Sequence, residues 1–417
     1  MVRASVASAC LMASACGLAE SSPRPVRVGV LRKILASDAG KPDRFGASIA
    51  GQGQCALVGA WAKAGAVHAF QLEAGVWTRR QFIAANDHAP KQHFGHALAV
   101  DGDWACVGAP ADATGGEKAG AAYVLHRDGS VWSEVQKLVP RDIAAGDNFG
   151  YSVDLAGNLA FVGAFLDDER GLDAGSVYVF ASSPDGWREV KELFASDPGE
   201  GDAWFGHTVR AALGSGTAPH FVLIGAHNDC QAGEGAGAVY VFQREGATWR
   251  QSAKLIASDT EPRDRFGHAI SLSRGSDGVL RALIGARYHQ QSGTAYVFEL
   301  GPEGWFEAAR LRDPEGKPGE EFSWSVSLQG DLALCGALRA APGGEAHLFQ
   351  RTAGGWRYVA RLAPDVPSPG AAFGISVCLL PASASGPWTA MVGAWQDGAA
   401  GPDAGALYTF SLALDPP

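Results

Sequence analysis

Apolar and polar residues alternate along this chain in short runs of four to eight, each bounded by Gly or Asp, and the runs recur as a set. One unit serves as the pattern. It opens with Phe149-Gly150-Tyr151-Ser152-Val153, continues with Leu159 to Ala164, alternates over Gly175 to Phe180, and ends with Trp187 to Leu193. A period of two over such lengths is the signature of a β-strand, and the short connections make neighbouring strands antiparallel. The unit occurs seven times. It opens at Phe45-Gly46, Phe94-Gly95, Phe149-Gly150, Phe205-Gly206, Phe266-Gly267, Phe322-Ser323 and Phe373-Gly374, and each opening is answered by a Gly-Ala pair, from Gly59-Ala60 to Gly393-Ala394. Repetition at roughly 50 to 60 residues points to one architecture built from a single supersecondary unit.

The third and fourth strands keep a fixed spacing. The residue closing strand three lies seven before a Trp, from Phe70 and Trp77 to Phe349 and Trp356, and each Trp lies six before an aliphatic residue, as in Trp249 and Leu255. Constant hairpin length fixes register, since a slip of one residue would turn the apolar side chains to the wrong face. These tryptophans read as packing residues between sheets. The seventh unit lacks its Trp strand, because Phe410 is followed seven residues later by the final Pro417. The missing strand is at the other end: Val28 to Ile34 repeats the spacing, and Ile34-Leu35-Ala36-Ser37-Asp38 nearly copies Leu255-Ile256-Ala257-Ser258-Asp259. The prediction is an all-β, seven-bladed β-propeller of four-stranded antiparallel blades over residues 26–412, closed by the N-terminal strand completing the last blade, which hides the sheet edges.

Composition narrows the setting. The 417 residues include 55 Gly, only 19% are charged, and no apolar run approaches the ~18 residues of a membrane span. A net charge of −10 without a concentrated basic surface argues against nucleic acid as a partner. Residues 1–20 have the order of a secretory signal peptide, with Arg3, an apolar stretch and Ala13-Ser14-Ala15 before Cys16. Export is expected, to the extracellular space, the periplasm or the cell envelope. Cys16 is the position a lipid anchor would use, although Ala13 stands where such anchors carry Leu. Cys55, Cys106, Cys230, Cys335 and Cys378 have neither metal spacing nor a disulfide framework, and read as ordinary thiols.

The succession of Phe-Gly, Gly-Ala(-Pro) and Gly-Ala-Val-Tyr-Val-Phe resembles the FG-GAP repeat of integrin alpha propellers and of secreted bacterial proteins. The resemblance implies a propeller that binds partners through its loops. Integrin-type blades carry calcium between strands one and two, on oxygen ligands spaced around a Gly turn. Here the nearest match, Ser273 to Arg281, keeps Asp277 and Gly278 but has Arg281 in the last acidic position, and four units have shorter turns. Calcium at that location is not expected.

The connections from strand two to three, and from strand four to the next strand one, emerge on one face and are acidic. They include Asp112, Glu117, Asp229, Glu234, Asp397 and Asp403, and the pairs Asp142/Asp147, Asp197/Asp202 and Asp259/Asp264. Aspartates before Phe-Gly read as turn caps. The run Asp167 to Asp173 is the better metal candidate, with Asp167, Asp168 and Asp173 as carboxylates around Gly171 for a calcium ion. The slot after Phe-Gly holds His96, His207 and His268, and elsewhere Ala47, Tyr151, Trp324 and Ile375, and reads as structural. No nucleophile elbow, zinc helix or phosphate loop occurs, so an enzyme is not the leading reading, although hydrolase or lyase groups contributed by different blades would escape a local search. The expectation is a monomeric, secreted or cell-surface adhesion-type propeller that recognises a protein or glycan ligand through its loop face. A lectin stacking sugars on exposed aromatics is the alternative.

Overall fold

The computed structural model describes residues 26–36, 43–63, 65–197, 202–214, 220–381 and 387–414. The candidate signal segment, Cys16 and Asp38 lie outside them. Seven four-stranded antiparallel sheets follow one another as meanders, each an uninterrupted run of neighbours. Blade three illustrates them, with strands Ser152–Ala156, Leu159–Ala164, Ser176–Ser183 and Gly186–Leu193. In blade seven, Val26–Leu35 lies antiparallel to Ala406–Leu414 with Ile34 opposite Leu407, so the N-terminal strand is the outer strand of the last sheet. The ring is closed at backbone level too, because Phe45 N donates to Ala404 O (3.1 Å). The only helical element among the described residues is the 3₁₀ turn His289–Gln291, and no helix is long and apolar enough to cross a membrane.

The core is a series of layers between blades. Each motif Phe is at most 1% exposed and meets the strand-three aromatic of its own blade edge to face, as in Phe149 with Tyr178 (5.5 Å) and Phe205 with Tyr240 (5.4 Å). In blades one and six that partner is histidine, with Phe45 against His68 and Phe322 against His347.

Strand four carries a feature that the spacing did not disclose. Phe242 pairs with Gln251 while Val241 pairs with Ala253, leaving Ser252 as an extra residue, and the same β-bulge recurs in the other five Trp-bearing blades. In a regular strand, Trp249 and Leu255 would share a face, since six is even. The bulge reverses that relation. Trp249 packs with Phe161 and Leu159 of blade three, and Leu255 packs with Phe266 and Ile270 of blade five. One strand therefore serves both interfaces. Trp77, Trp132, Trp187 and Trp249 are buried, while Trp305 and Trp356 are half-buried. Gln81 and Gln136 add paired bonds to the backbone of the next blade's Trp132 and Trp187.

Trp249→Ala should cost about 3 to 5 kcal/mol, the range for deleting a large buried aromatic. Gly163→Ala, which would drive a Cβ into the carbonyl of Gly206 on the next blade, should cost at least as much. Urea unfolding of both variants against the parent checks the two values, and an unchanged midpoint in either removes that interface assignment.

Candidate functional site at the axial mouth

Three residues per blade, set by the motifs, converge on the propeller axis. The residue after Phe-Gly is the innermost. Ala47, His96, Tyr151, His207, His268, Trp324 and Ile375 line a cavity of about 230 Å³. Their rings follow one another round the axis, His96 to Tyr151 at 4.6 Å, Tyr151 to His207 at 4.8 Å, His207 to His268 at 5.2 Å and His268 to Trp324 at 4.7 Å. The residue after Gly-Ala forms a second tier. Trp61 touches Trp395 (5.7 Å), Phe165 touches Tyr151 (4.4 Å), and His227 meets His207 edge to face (4.0 Å).

The residue before Phe-Gly forms the third. Arg44, His93, Asn148, Trp204, Arg265, Glu321 and Ala372 all hold φ between 54° and 61°. A left-handed backbone is rare for residues other than glycine and persists only where the surroundings impose it. Here it turns side chains toward the mouth. The Arg44 guanidinium lies over Trp61 and Trp395 (4.6 and 4.9 Å), and Arg265 over Trp204 (5.7 Å). From the second tier, Arg287 lies over Trp324 (4.4 Å).

The imidazoles at the mouth are neutral. Burial lowers His96 to about 4 and His207 to about 3, with Arg287 adding to the effect at His207, and burial first of all holds His227 and His268 well below the usual value. Nδ1 of His96 and of His268 donates to the carbonyls of Tyr151 and Trp324 (3.3 and 3.2 Å), which fixes the tautomer and leaves Nε2 as an acceptor. The result is a rigid aromatic surface carrying three guanidinium groups.

Outside this mouth the loop aspartates are tied into the fold. Asp112, Asp229 and Asp397 are buried, and each accepts the hydroxyl of its blade's strand-three tyrosine and the ammonium of a strand-four lysine: Tyr123 and Lys137, Tyr240 and Lys254, Tyr408 and Lys33. The aspartates before Phe-Gly close turns, Asp147 accepting from Ala144 N and Asp264 from Glu261 N (both 2.7 Å). The acidic face expected from the sequence is thus largely internal hydrogen bonding.

Blade three breaks this pattern. Asp167 is buried, with Oδ1 accepting Glu169 N and Oδ2 accepting Ser176 Oγ and Tyr178 OH, whereas Asp168 accepts Asp173 N (2.7 Å) at the loop surface. The acids of this region whose oxygens come within 4.8 Å of one another are Asp142, Glu169 and Glu192. Glu192 lies opposite Tyr178 in the register, where blades two, four and seven have lysine. Burial, followed by the neighbouring Asp167 charge, raises its carboxyl to about 8.

The FG-GAP repeat matches residues 29–70, 77–125, 132–180, 187–242, 249–298 and 305–349, each match running from a strand-four start to the end of the next strand three. The chain belongs to the FG-GAP repeat family. The crystal structure of the RRP9 WD40 repeats is similar to this FG-GAP chain with a TM-score of 0.54 at 12% identity, over 93% of this chain and 100% of that one, a likeness of fold alone. No curated protein matches it. In this FG-GAP propeller the turn that resembles the integrin calcium loop holds an ion pair. Arg281, with its side chain fully buried, binds both oxygens of Asp277 (2.8 and 2.7 Å).

The slot after Phe-Gly, read from the sequence as structural, lines the axial cavity. Of the slot before Phe-Gly only His93 stands out in the sequence, beside His88 and His96 and without an acidic or Cys partner at a zinc spacing, and Trp61, Phe165, His227, Arg287 and Trp395 carry no signal in a linear reading. Aligning the seven units column by column is the signal that finds them, because a column that varies in chemistry but not in position becomes a ring once the blades close.

The Glu192 shift has a definite sign. Between the ordinary glutamate value near 4.5 and the folded value of about 8, the native state keeps a proton that the unfolded state releases, so stability falls as pH rises through that window. Glu192→Lys supplies Asp167 with the ammonium its sister blades have. Thermal unfolding from pH 5 to pH 8.5 should show a higher Tm for the variant, with the gap widening upward. Parallel profiles would count against the assignment.

Proposed function

We propose that this FG-GAP propeller is an exported, noncatalytic binding module that takes its partner at the axial mouth, with a protein ligand as the leading reading. The observation that carries the proposal is the ring of Trp, Tyr, His and Arg on left-handed or motif-fixed backbone positions. Trp, Tyr and Arg are the residues that dominate protein recognition, and rigid presentation lowers the entropy lost on binding. Arg44, Arg265 and Arg287 suit a ligand that offers carboxylates to the mouth, because a guanidinium binds a carboxylate through two donors. Export rests on the character of residues 1–20.

A sugar ligand is the second reading, favoured by half-buried Trp61, Trp204, Trp324 and Trp395 beside the cavity. It ranks below the first because the guanidinium groups already cover faces of all four indoles, and a sugar would have to displace them to stack.

A random-peptide display selection and a glycan array, both probed with the full chain, test the choice. Acid-bearing peptides should be enriched, and Arg44→Ala and Arg287→Ala should each weaken them at least about tenfold, as expected for a hot-spot arginine. Enrichment of glycans alone moves the protein to the lectin reading. Binding that ignores both substitutions excludes the mouth, and chemical turnover of a bound ligand overturns the noncatalytic assignment.

A further inference from the structure

Blade six rewrites the buried node that blades two, four and seven build from Asp, Tyr and Lys. The loop aspartate is replaced by Ala340, the tyrosine by His347, and the small residue that starts strand three by Glu345, while Arg361 occupies the cation slot opposite His347. Asp313 enters from the connection between blades five and six. These exchanges bring an imidazole and two carboxylates together, with one ligand atom of each within 4.8 Å of the others.

The state of His347 is what needs explaining. Its side chain is fully buried, yet neither ring nitrogen has a hydrogen-bond partner. Nδ1 stands 3.7 Å from Asp313 Oδ1 and Nε2 3.8 Å from Glu345 Oε2, too far for hydrogen bonds. In blade one, the other histidine in this slot, His68, has Arg79 Nη1 at 3.3 Å from Nδ1. A buried imidazole facing two carboxylates without bonding to either calls for an ion or water between them. An ion binds one ring nitrogen, so one of these separations is a ligand-to-ligand distance, near the ~3.4 Å of two ligands bound at about 2.05 Å and tetrahedral angles. The other carboxylate, with an oxygen within 4.8 Å, closes in by side-chain rotation.

The surroundings fit. The carboxylates are oriented from behind, Asp313 Oδ1 accepting Glu315 N (3.0 Å) and Glu345 Oε1 accepting Arg361 Nη1 (2.9 Å). A cavity of about 290 Å³ opens onto Asp313 and Glu345, with Glu315, Glu320, Lys317 and Tyr358 on its walls, and gives an ion and its waters a route in.

We propose that Asp313, Glu345 and His347 bind one divalent first-row transition-metal ion of the zinc class, with water from the adjoining cavity completing its coordination. One imidazole nitrogen with two carboxylates is a borderline donor set, which suits zinc, cobalt(II) or manganese(II) better than calcium. The site is separate from the axial mouth and stands whether or not the mouth binds a protein.

The full chain, stripped with EDTA and exchanged into metal-free buffer at neutral pH, is dialysed to equilibrium against micromolar zinc chloride, and bound metal is counted by mass spectrometry. One zinc per chain is expected. Asp313→Asn and His347→Tyr should each cut uptake at least about tenfold. His347→Tyr installs the residue that five other blades carry in this slot, so folding should survive, and circular dichroism verifies it. Cobalt(II) in place of zinc should give visible ligand-field bands that both variants lose. No zinc uptake by the parent, or uptake that folded variants retain, overturns the proposal, the second by sending the ion to the axial imidazoles or to Cys230.

Discussion

Around the axis, backbone lies directly against backbone. The glycine of each Gly-Ala pair has the carbonyl of the next blade's motif residue where a Cβ would be: Gly59 against Gly95, Gly108 against Gly150, and so on to Gly393 against Gly46. Wedge-shaped sheets can meet at a narrow centre only if the contacting strands have no side chain there, and this contact is repeated at all seven joints. Phe-Gly and Gly-Ala are therefore two sides of one interaction. In blade six Ser323 takes the Phe-Gly glycine's place at φ 68°, and its hydroxyl donates to Thr294 O (2.8 Å), so the joint needs the bare glycine on one side and a left-handed carbonyl on the other. Hydroxyls three residues beyond the motif Phe strengthen several joints, as Ser152 Oγ does on Gly206 O and Ser376 Oγ on Gly46 O.

Because the glycine contact sets the backbone, the positions flanking it are released from packing. The residue before Phe-Gly is Arg, His, Asn, Trp, Glu or Ala with hardly any change in φ. A scaffold that holds seven side-chain directions constant while tolerating any chemistry suits recognition, since specificity can change without disturbing the fold. The strand-three node has the same freedom further out, with lysine against aspartate in blades two, four and seven, Glu192 in blade three and His347 in blade six.

Strand order, blade number and closure were legible because period-two alternation and fixed spacing are local properties that a linear reading captures. The bulge in strand four was not: Trp249 and Leu255 keep an even separation whether or not Ser252 is extruded, and only the inter-blade packing reveals that they face opposite ways. The axial ring escaped for a different reason. His96, Tyr151 and Trp324 are far apart in sequence and share nothing but a column, so their meeting follows from closure itself. Asp167, Asp168 and Asp173 looked like one ligand set because they are close in sequence, whereas Asp167 is drawn inward by Tyr178, eleven residues later, and Glu192 by the register of a hairpin.

Closure also imposes an order in time. The strand Val26–Leu35 has its partner in Ala406–Leu414, so a chain made from its N-terminus leaves an early strand waiting until nearly all the rest has been synthesised. Until then blade seven lacks its outer strand, and the edge it will cover is open to pairing with another chain. Pairing strands so far apart in sequence is a long-range contact whose closure entropy has to be met before the contact stabilises the ring. The finished ring is protected by the same fact: neither end can peel away without breaking a sheet that both hold together.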